Sequence, residues 1–305
     1  MSPAPLAVHL ARLSRQPMLI RGDLFSAFGA LALAPLPLAR APRLPAPRAD
    51  DGGDDDCDQP SASPDTDPMP WDARERITLY PGGVAVIPVT GLLARGFDKI
   101  TAWCYDIGRL EAIEAAIALV TARADVATVI FDFNTPGGYT TGIEEMATLI
   151  DRLGQSKVTV AFTSTMCCSA GYWLASQCAT IIATRSSTVG SIGTYAAYYD
   201  YSGYLAQAGV ELKLFRAGEM KGLGVFGHAL TPEESAFVQS GIDELNARFL
   251  AAVRGTRGAV ADATLQGQWF SGAAAVALGL VDANALTFAE VLAALTPPQP
   301  TTLSP

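Results

Sequence analysis

Between Arg74 and Thr296 apolar residues recur with two different periods. Val84 to Val89 is a short β-rich run ending at Thr90-Gly91, and Val126 to Phe133 is a nearly unbroken apolar strand. Leu110 to Ala122 places Ile113, Ile117 and Val120 at helical spacing, and Gly142 to Leu153 reads as a second helix. Val158 to Phe162 reads as a strand, followed by Ala170 to Ser176, a helix apolar enough to be buried. Further strands are predicted at Thr180 to Ala183, Ile192 to Tyr199 and Glu211 to Phe215. Thr231-Pro232-Glu233-Glu234 has the form of a capping box with proline at the first helical position, opening a long helix to about Val253. A last helix, Ala273 to Leu278, stops at Gly279. Strands and helices that alternate, with strands apolar on both faces, predict an α/β fold whose sheet is covered by helices.

The ends of the chain have a different texture. Residues 1–43 form an Ala/Leu/Pro-rich, net basic arm, and residues 44–73 turn to Pro, Ser and Asp, including Asp50-Asp51-Gly52-Gly53-Asp54-Asp55-Asp56. That composition predicts a disordered acidic linker, without the ligand spacing of a calcium loop. The expected organisation is therefore an arm (1–43), a linker (44–73), one domain (74–296) and a Pro/Thr tail (297–305). Leu24 to Ala39 follows Arg12, Arg15 and Arg21 as a signal peptide would, but Pro35 and Pro37 interrupt it and it is too short to span a membrane. A soluble protein is expected.

Of the 305 residues half are hydrophobic and 17% charged, with a net charge of -9, which gives one sizeable core and excludes a phosphate-binding basic patch. The five cysteines include no CxxC pair and have no histidine nearby at zinc spacing, so neither a disulfide framework nor a structural metal is indicated, and free thiols suit a reducing cytoplasm. Cys167-Cys168 is expected to be buried packing.

Three loops that end strands carry the candidate chemistry: Asn134-Thr135-Pro136-Gly137-Gly138, Cys167-Cys168-Ser169-Ala170-Gly171 and Gly190-Ser191-Ile192-Gly193. Pro-Gly-Gly after a strand exposes backbone N–H groups unobstructed by side chains, as an oxyanion hole or a bound peptide requires, although a tight turn uses the same residues. Ser169 falls between a strand and a helix, either as a simple N-cap or as a nucleophile at a helix N-terminus; it departs from the G-x-S-x-G elbow because Cys167 replaces the first glycine. The only histidines are His9, in the arm, and His228, in a Gly-rich loop where a solvent-facing or capping role is expected. A lysine can replace histidine as the base when burial disfavours its charged form. Lys221, in Arg216-Ala217-Gly218-Glu219-Met220-Lys221-Gly222, is the candidate, with an ordinary solvated loop lysine as the alternative. Gly222 to Gly227 matches G-x-G-x-x-G but opens no helix, so dinucleotide binding is not expected.

Taken together, these loops resemble, in order and over Val84 to Asp282, the signal peptide peptidase A family of Ser/Lys peptidases, most closely its phage head-maturation branch. The matching segments are Phe133 to Gly138, Cys168-Ser169-Ala170-Gly171-Tyr172, Gly190-Ser191-Ile192-Gly193 and Ala217-Gly218-Glu219-Met220-Lys221. The resemblance implies a ClpP/crotonase-like spiral of ββα units. It makes Ser169 the nucleophile, Lys221 the general base and Ser191 the hydroxyl that orients the lysine amine. Gly137 or Gly138, with the backbone of Ala170, would hold the oxyanion. It further implies a peptide or protein substrate laid beside Gly138 to Thr141, no cofactor, metal or nucleotide, and self-association into a ring or bowl. Capsid, scaffold or portal proteins would be the partners, the setting the cytoplasm of a bacterial host or the phage prohead, and the arm a docking element for them. Cys167-Cys168 departs from the family, where smaller residues are common, and no membrane anchor is evident, which favours the phage branch. A cytoplasmic signal-peptide-peptidase-like protease, a catalytically idle capsid scaffold and an acyl-CoA enzyme of the crotonase type stand as alternatives.

Overall fold

The computed structural model describes residues 18–20, 75–258 and 260–296; the linker, the tail and most of the arm lie outside the described residues. Two strands precede the main body, β1 (Met18–Ile20) and β2 (Thr78–Tyr80). The body then repeats one unit: a long strand, a one- to four-residue link, a short strand and a helix. The first unit is β3 (Val84–Thr90) and β4 (Leu92–Ala94), elaborated by α1 (Lys99–Cys104) and β5 (Ile107–Arg109) before α2 (Leu110–Ala122). The second is β6 (Thr128–Asn134), β7 (Gly137–Tyr139) and α3 (Ile143–Gly154). The third is β8 (Val158–Thr163), β9 (Met166–Cys168) and α4 (Ala170–Ser176), and a fourth begins with β10 (Thr180–Ala183) and β11 (Thr188–Gly190).

Long strands collect in one sheet of order β13-β10-β8-β6-β3-β2, with β13 at Ala283–Asn284, and every pairing but β2 with β3 is parallel. Short strands form two smaller sheets, β1-β7-β4-β5 and β12-β11-β9, where β12 is Trp269–Ser271. Long strands in one layer and short strands turned out of it make the expected spiral of ββα units.

Alternation along the strands explains why the large sheet is buried twice over. Ala85, Ile87, Val89, Val129, Phe131 and Phe133 face the main core with α2, α3 and α4. The opposite face, with Val86, Ile130 and Phe162, is covered by a helix that the sequence reading missed, α8 (Phe288–Leu295), which follows α5 (Ser202–Gln207), α6 (Pro232–Thr256) and α7 (Gly272–Ala277). Its signal was present, since Thr287 caps the Glu290 N–H in a T-x-x-E pattern. Long helix α6 opens on the expected capping box and locks onto α4 through Phe249, whose ring stacks on Trp173 with centroids 4.7 Å apart. Among the described residues no helix is long and apolar enough to cross a membrane.

Two expectations fail. Ile192 to Tyr199 and Glu211 to Phe215 are not strands. β-branched and aromatic residues favour a strand only where a pleated, half-buried surface receives them, and here Tyr199, Leu212 and Phe215 are exposed. Of the arm, only Met18–Ile20 is described, and it lies antiparallel along β7.

Candidate active site

The three candidate loops leave neighbouring strands at one end of the molecule. Thr135, just past β6, forms an isolated parallel bridge with Cys167: its N–H donates to Met166 O at 2.9 Å, and its carbonyl accepts the Cys168 N–H at 3.1 Å. On the other side β9 pairs in parallel with β11, Cys168 opposite Gly190, and the Ser169 N–H donates to Gly190 O at 2.8 Å. Ser169 and Ser191 are therefore the first residues off adjacent, in-register strand ends. Both are held at positive φ, +52° and +54°. A side-chain-bearing residue in such a conformation costs about 1–3 kcal/mol, and sites that place a reactive group are where such strain persists.

Ser169 lies between β9 and α4, at the N-cap position, but its side chain makes no capping bond. Its Oγ is buried and has no hydrogen-bond partner. A capping serine would spend that oxygen on the helix amides; this one keeps it unspent, on a strained strand-to-helix turn formed without the G-x-S-x-G sequence. The first residue of α4, Ala170, is fully buried, so its backbone sits against the serine rather than in solvent.

Thr135 fixes the Pro-Gly-Gly loop against this turn. Its hydroxyl donates to Gly91 O at 2.6 Å and accepts the Gly137 N–H at 3.1 Å. The Gly137 amide is thereby engaged by the Thr135 hydroxyl. Close approach explains the second glycine: a Cβ on Gly138 would stand 2.0 Å from Leu93 O on β4. Cys167 and Cys168 are buried as expected, and burial pushes the Cys167 and Cys178 thiols well up, away from reactivity.

Lys221 does not meet Ser169 within one chain. It is exposed, in a run of turns between Gly218 and Gly227, and the unpartnered Ser169 Oγ shows that its ammonium makes no bond there. Its neighbours do not bury it, because the segment is built on glycines at positive φ (218, 222, 224 and 227) and leaves Phe215, Met220 and Phe226 exposed too. What anchors this segment is a residue that sequence reasoning treated only as a cap. Glu234, buried at the start of α6, accepts Arg216 Nη1 at 2.7 Å and the Thr231 N–H at 3.0 Å, and faces His228 Nε2 at 2.8 Å. The Thr231 amide first, then the Arg216 guanidinium, pull its carboxyl down to about 2. His228 is thus engaged by Glu234 rather than facing solvent. Arg216 also reaches Lys221 O at 3.4 Å. A cleft of about 370 Å3 opens beside Ser191, bordered by Thr194 and Asn246, whose Oγ1 and Oδ1 are buried without partners.

Two phage proteins are among those to which the chain is similar. The chain is 33% identical over 215 residues to head-tail preconnector protein GP5 of Enterobacteria phage P21, covering 68% of this chain and 42% of that protein. It is 29% identical over 202 residues to capsid assembly protease C of Escherichia phage lambda, covering 66% and 46%. It thus spans less than half the length of either relative. Among solved structures, an enoyl-CoA hydratase/isomerase family protein from Silicibacter pomeroyi aligns over 72% of this chain and 80% of its own, with a TM-score of 0.40 at 15% identity. The model of peptidase family S49 matches residues 151–296, the stretch that carries Ser169, Ser191 and Lys221, so the chain bears a domain of peptidase family S49.

Proposed function

We propose that this chain is a serine endopeptidase of the Ser/Lys type that cleaves protein substrates during phage head assembly. The observation that carries the reading is the Ser169 Oγ, buried, unpartnered and held on a strained turn between two other functional loops. The S49 domain and the two phage relatives set its context. In this reading neutral Lys221 takes the Ser169 proton, the alkoxide attacks a peptide carbonyl, and the backbone N–H groups of Gly137 or Gly138 and of Ala170 receive the oxyanion. On collapse the C–N bond breaks and the lysine ammonium returns its proton to the departing amine, after which water, deprotonated by Lys221, hydrolyses the ester and frees the acid and Ser169. Ser191, one register step away, orients the lysine amine.

An amine left in water stays charged and cannot act as a base. Lys221 therefore has to be covered, and the exposed side chains around it, Phe215, Met220 and Phe226, form the apolar surface through which copies of the chain would pack. Self-association and completion of the dyad are one event in this reading.

The test is turnover and active-site labelling of variants. Ser169→Ala and Lys221→Ala should each abolish turnover, and the double variant should lose little more, since residues acting as a unit are not additive. Ser191→Ala should only weaken it, and activity should rise with pH and be indifferent to chelators. An inactive His228→Ala alongside a largely active Lys221→Ala would transfer the base to the histidine and defeat the assignment.

A further inference from the structure

Strand β7 begins two residues after Thr135, whose backbone is bonded to Cys168, so the sheet edge nearest the Ser169 turn is the edge of β7. One side of that strand is occupied by β4, with Leu93 opposite Gly138. Its other side is an edge along which an extended peptide could add main-chain hydrogen bonds beside the Ser169 turn. The chain already occupies it: Met18, Leu19 and Ile20 pair antiparallel with Tyr139, Gly138 and Gly137. Ile20, opposite Gly137, is the residue nearest the Ser169 end.

We propose that Met18–Ile20 is a built-in competitor of substrate, an intramolecular strand seated in the peptide-binding edge that a substrate has to displace. This rests on the peptidase reading above. Three paired residues give a weak ladder, because each backbone hydrogen bond gains little net of water. A segment of the same chain needs no encounter from solution, however, so even this pairing competes with free peptide. The binding-competent fraction is reduced accordingly, and apparent affinity falls by that fraction. Substrate presented at high local concentration in an assembly would displace the strand, whereas stray peptides would not.

The experiment uses the full chain with Leu19→Pro and, separately, Met18→Pro/Ile20→Pro. Antiparallel ladders alternate which residues donate, so between them these variants remove every N–H of the segment that can reach β7. A fluorescein-labelled peptide of residues 14–24, added to protein carrying Ser169→Ala, should bind roughly 3- to 10-fold more tightly to the strand-breaking variant than to its parent. The amides of β7 that face Met18–Ile20, which fall on alternate residues of the strand, should exchange faster with deuterium in the variant until that peptide is added. In active protein KM for a short peptide should fall by the same factor with kcat unchanged. Equal peptide affinity and equal exchange in parent and both variants would overturn the proposal. Loss of all Ser169-dependent turnover alongside the binding difference would instead defeat the peptidase reading and leave the occupied edge standing.

Discussion

Gly171→Ala tests whether the Pro-Gly-Gly loop and the nucleophile turn are one rigid unit. Gly171 lies in α4, where helix propensity alone would make alanine better by about 1 kcal/mol. Packing opposes this, for the new Cβ would stand 2.3 Å from Thr135 Cγ2 and something must retreat by about 1 Å to reach ordinary contact. Thr135 cannot simply rotate. Its hydroxyl is bonded to Gly91 O and the Gly137 N–H, and another rotamer would strand both groups in the core. Nor can α4 withdraw, since every one of its residues is buried and Trp173 is stacked on Phe249. Overpacking costs about 1–3 kcal/mol, and each lost buried hydrogen bond about 1 kcal/mol or more. The clash outweighs the helix gain, and the net expectation is a loss of about 2–4 kcal/mol in urea unfolding at fixed protein concentration. Shifting the Gly138 amide by about 1 Å from Ser169 should also slow fluorophosphonate labelling of the serine by about 10²-fold. Thr135→Ser keeps the hydroxyl and deletes the clashing methyl, at a cost of about 1 kcal/mol by itself. Combined with Gly171→Ala it should restore labelling and recover about 2 kcal/mol of coupling energy. A stable, fully reactive Gly171→Ala protein, or effects of the two changes that merely add, would refute the contact as the link between the loops.

Three other outcomes follow from the charges and the exposed surface. Asp132 lies between Phe131 and Phe133 on β6, and burial raises its carboxyl above the ordinary value, so its ionisation opposes folding as pH rises through the carboxylate range; Asp132→Asn should raise Tm at pH 7, with the gain disappearing below about pH 4. Glu234 behaves in the opposite sense: its carboxyl is held down to about 2, so its stabilisation is complete above the ordinary carboxylate range and drains away as acid protonates it. Glu234→Gln should therefore lower the urea midpoint at pH 7 and converge on the parent near pH 2. Phe215 is 92% exposed, so Phe215→Asp should leave monomer stability unchanged, while sedimentation should show self-association weakened by about 10- to 100-fold if that ring is buried between copies.

The regular half of the fold was legible along the chain. Leu110–Ala122, Ala170–Ser176 and Thr180–Ala183 have the predicted bounds, because each presents a full run of apolar residues to a core that accepts them. The Thr231 capping box likewise starts α6 from local chemistry alone. Ile192 to Tyr199 and Glu211 to Phe215 carry the same residue types and form no strand, since strand formation depends on an edge to pair with and a surface to cover, which no local window reports. The site divides along the same line. Glycines, a serine before an apolar helix and a scarcity of histidine marked out the loops. Only parallel register could set Ser169 beside Ser191 and leave the Ser169 oxygen without a partner. The exposure of Lys221, the second role of Glu234 and the seating of Met18–Ile20 on β7 belong to the tertiary structure alone. Each joins residues far apart in sequence, and burial, charge pairing and strand addition act between surfaces that exist only once the chain has folded.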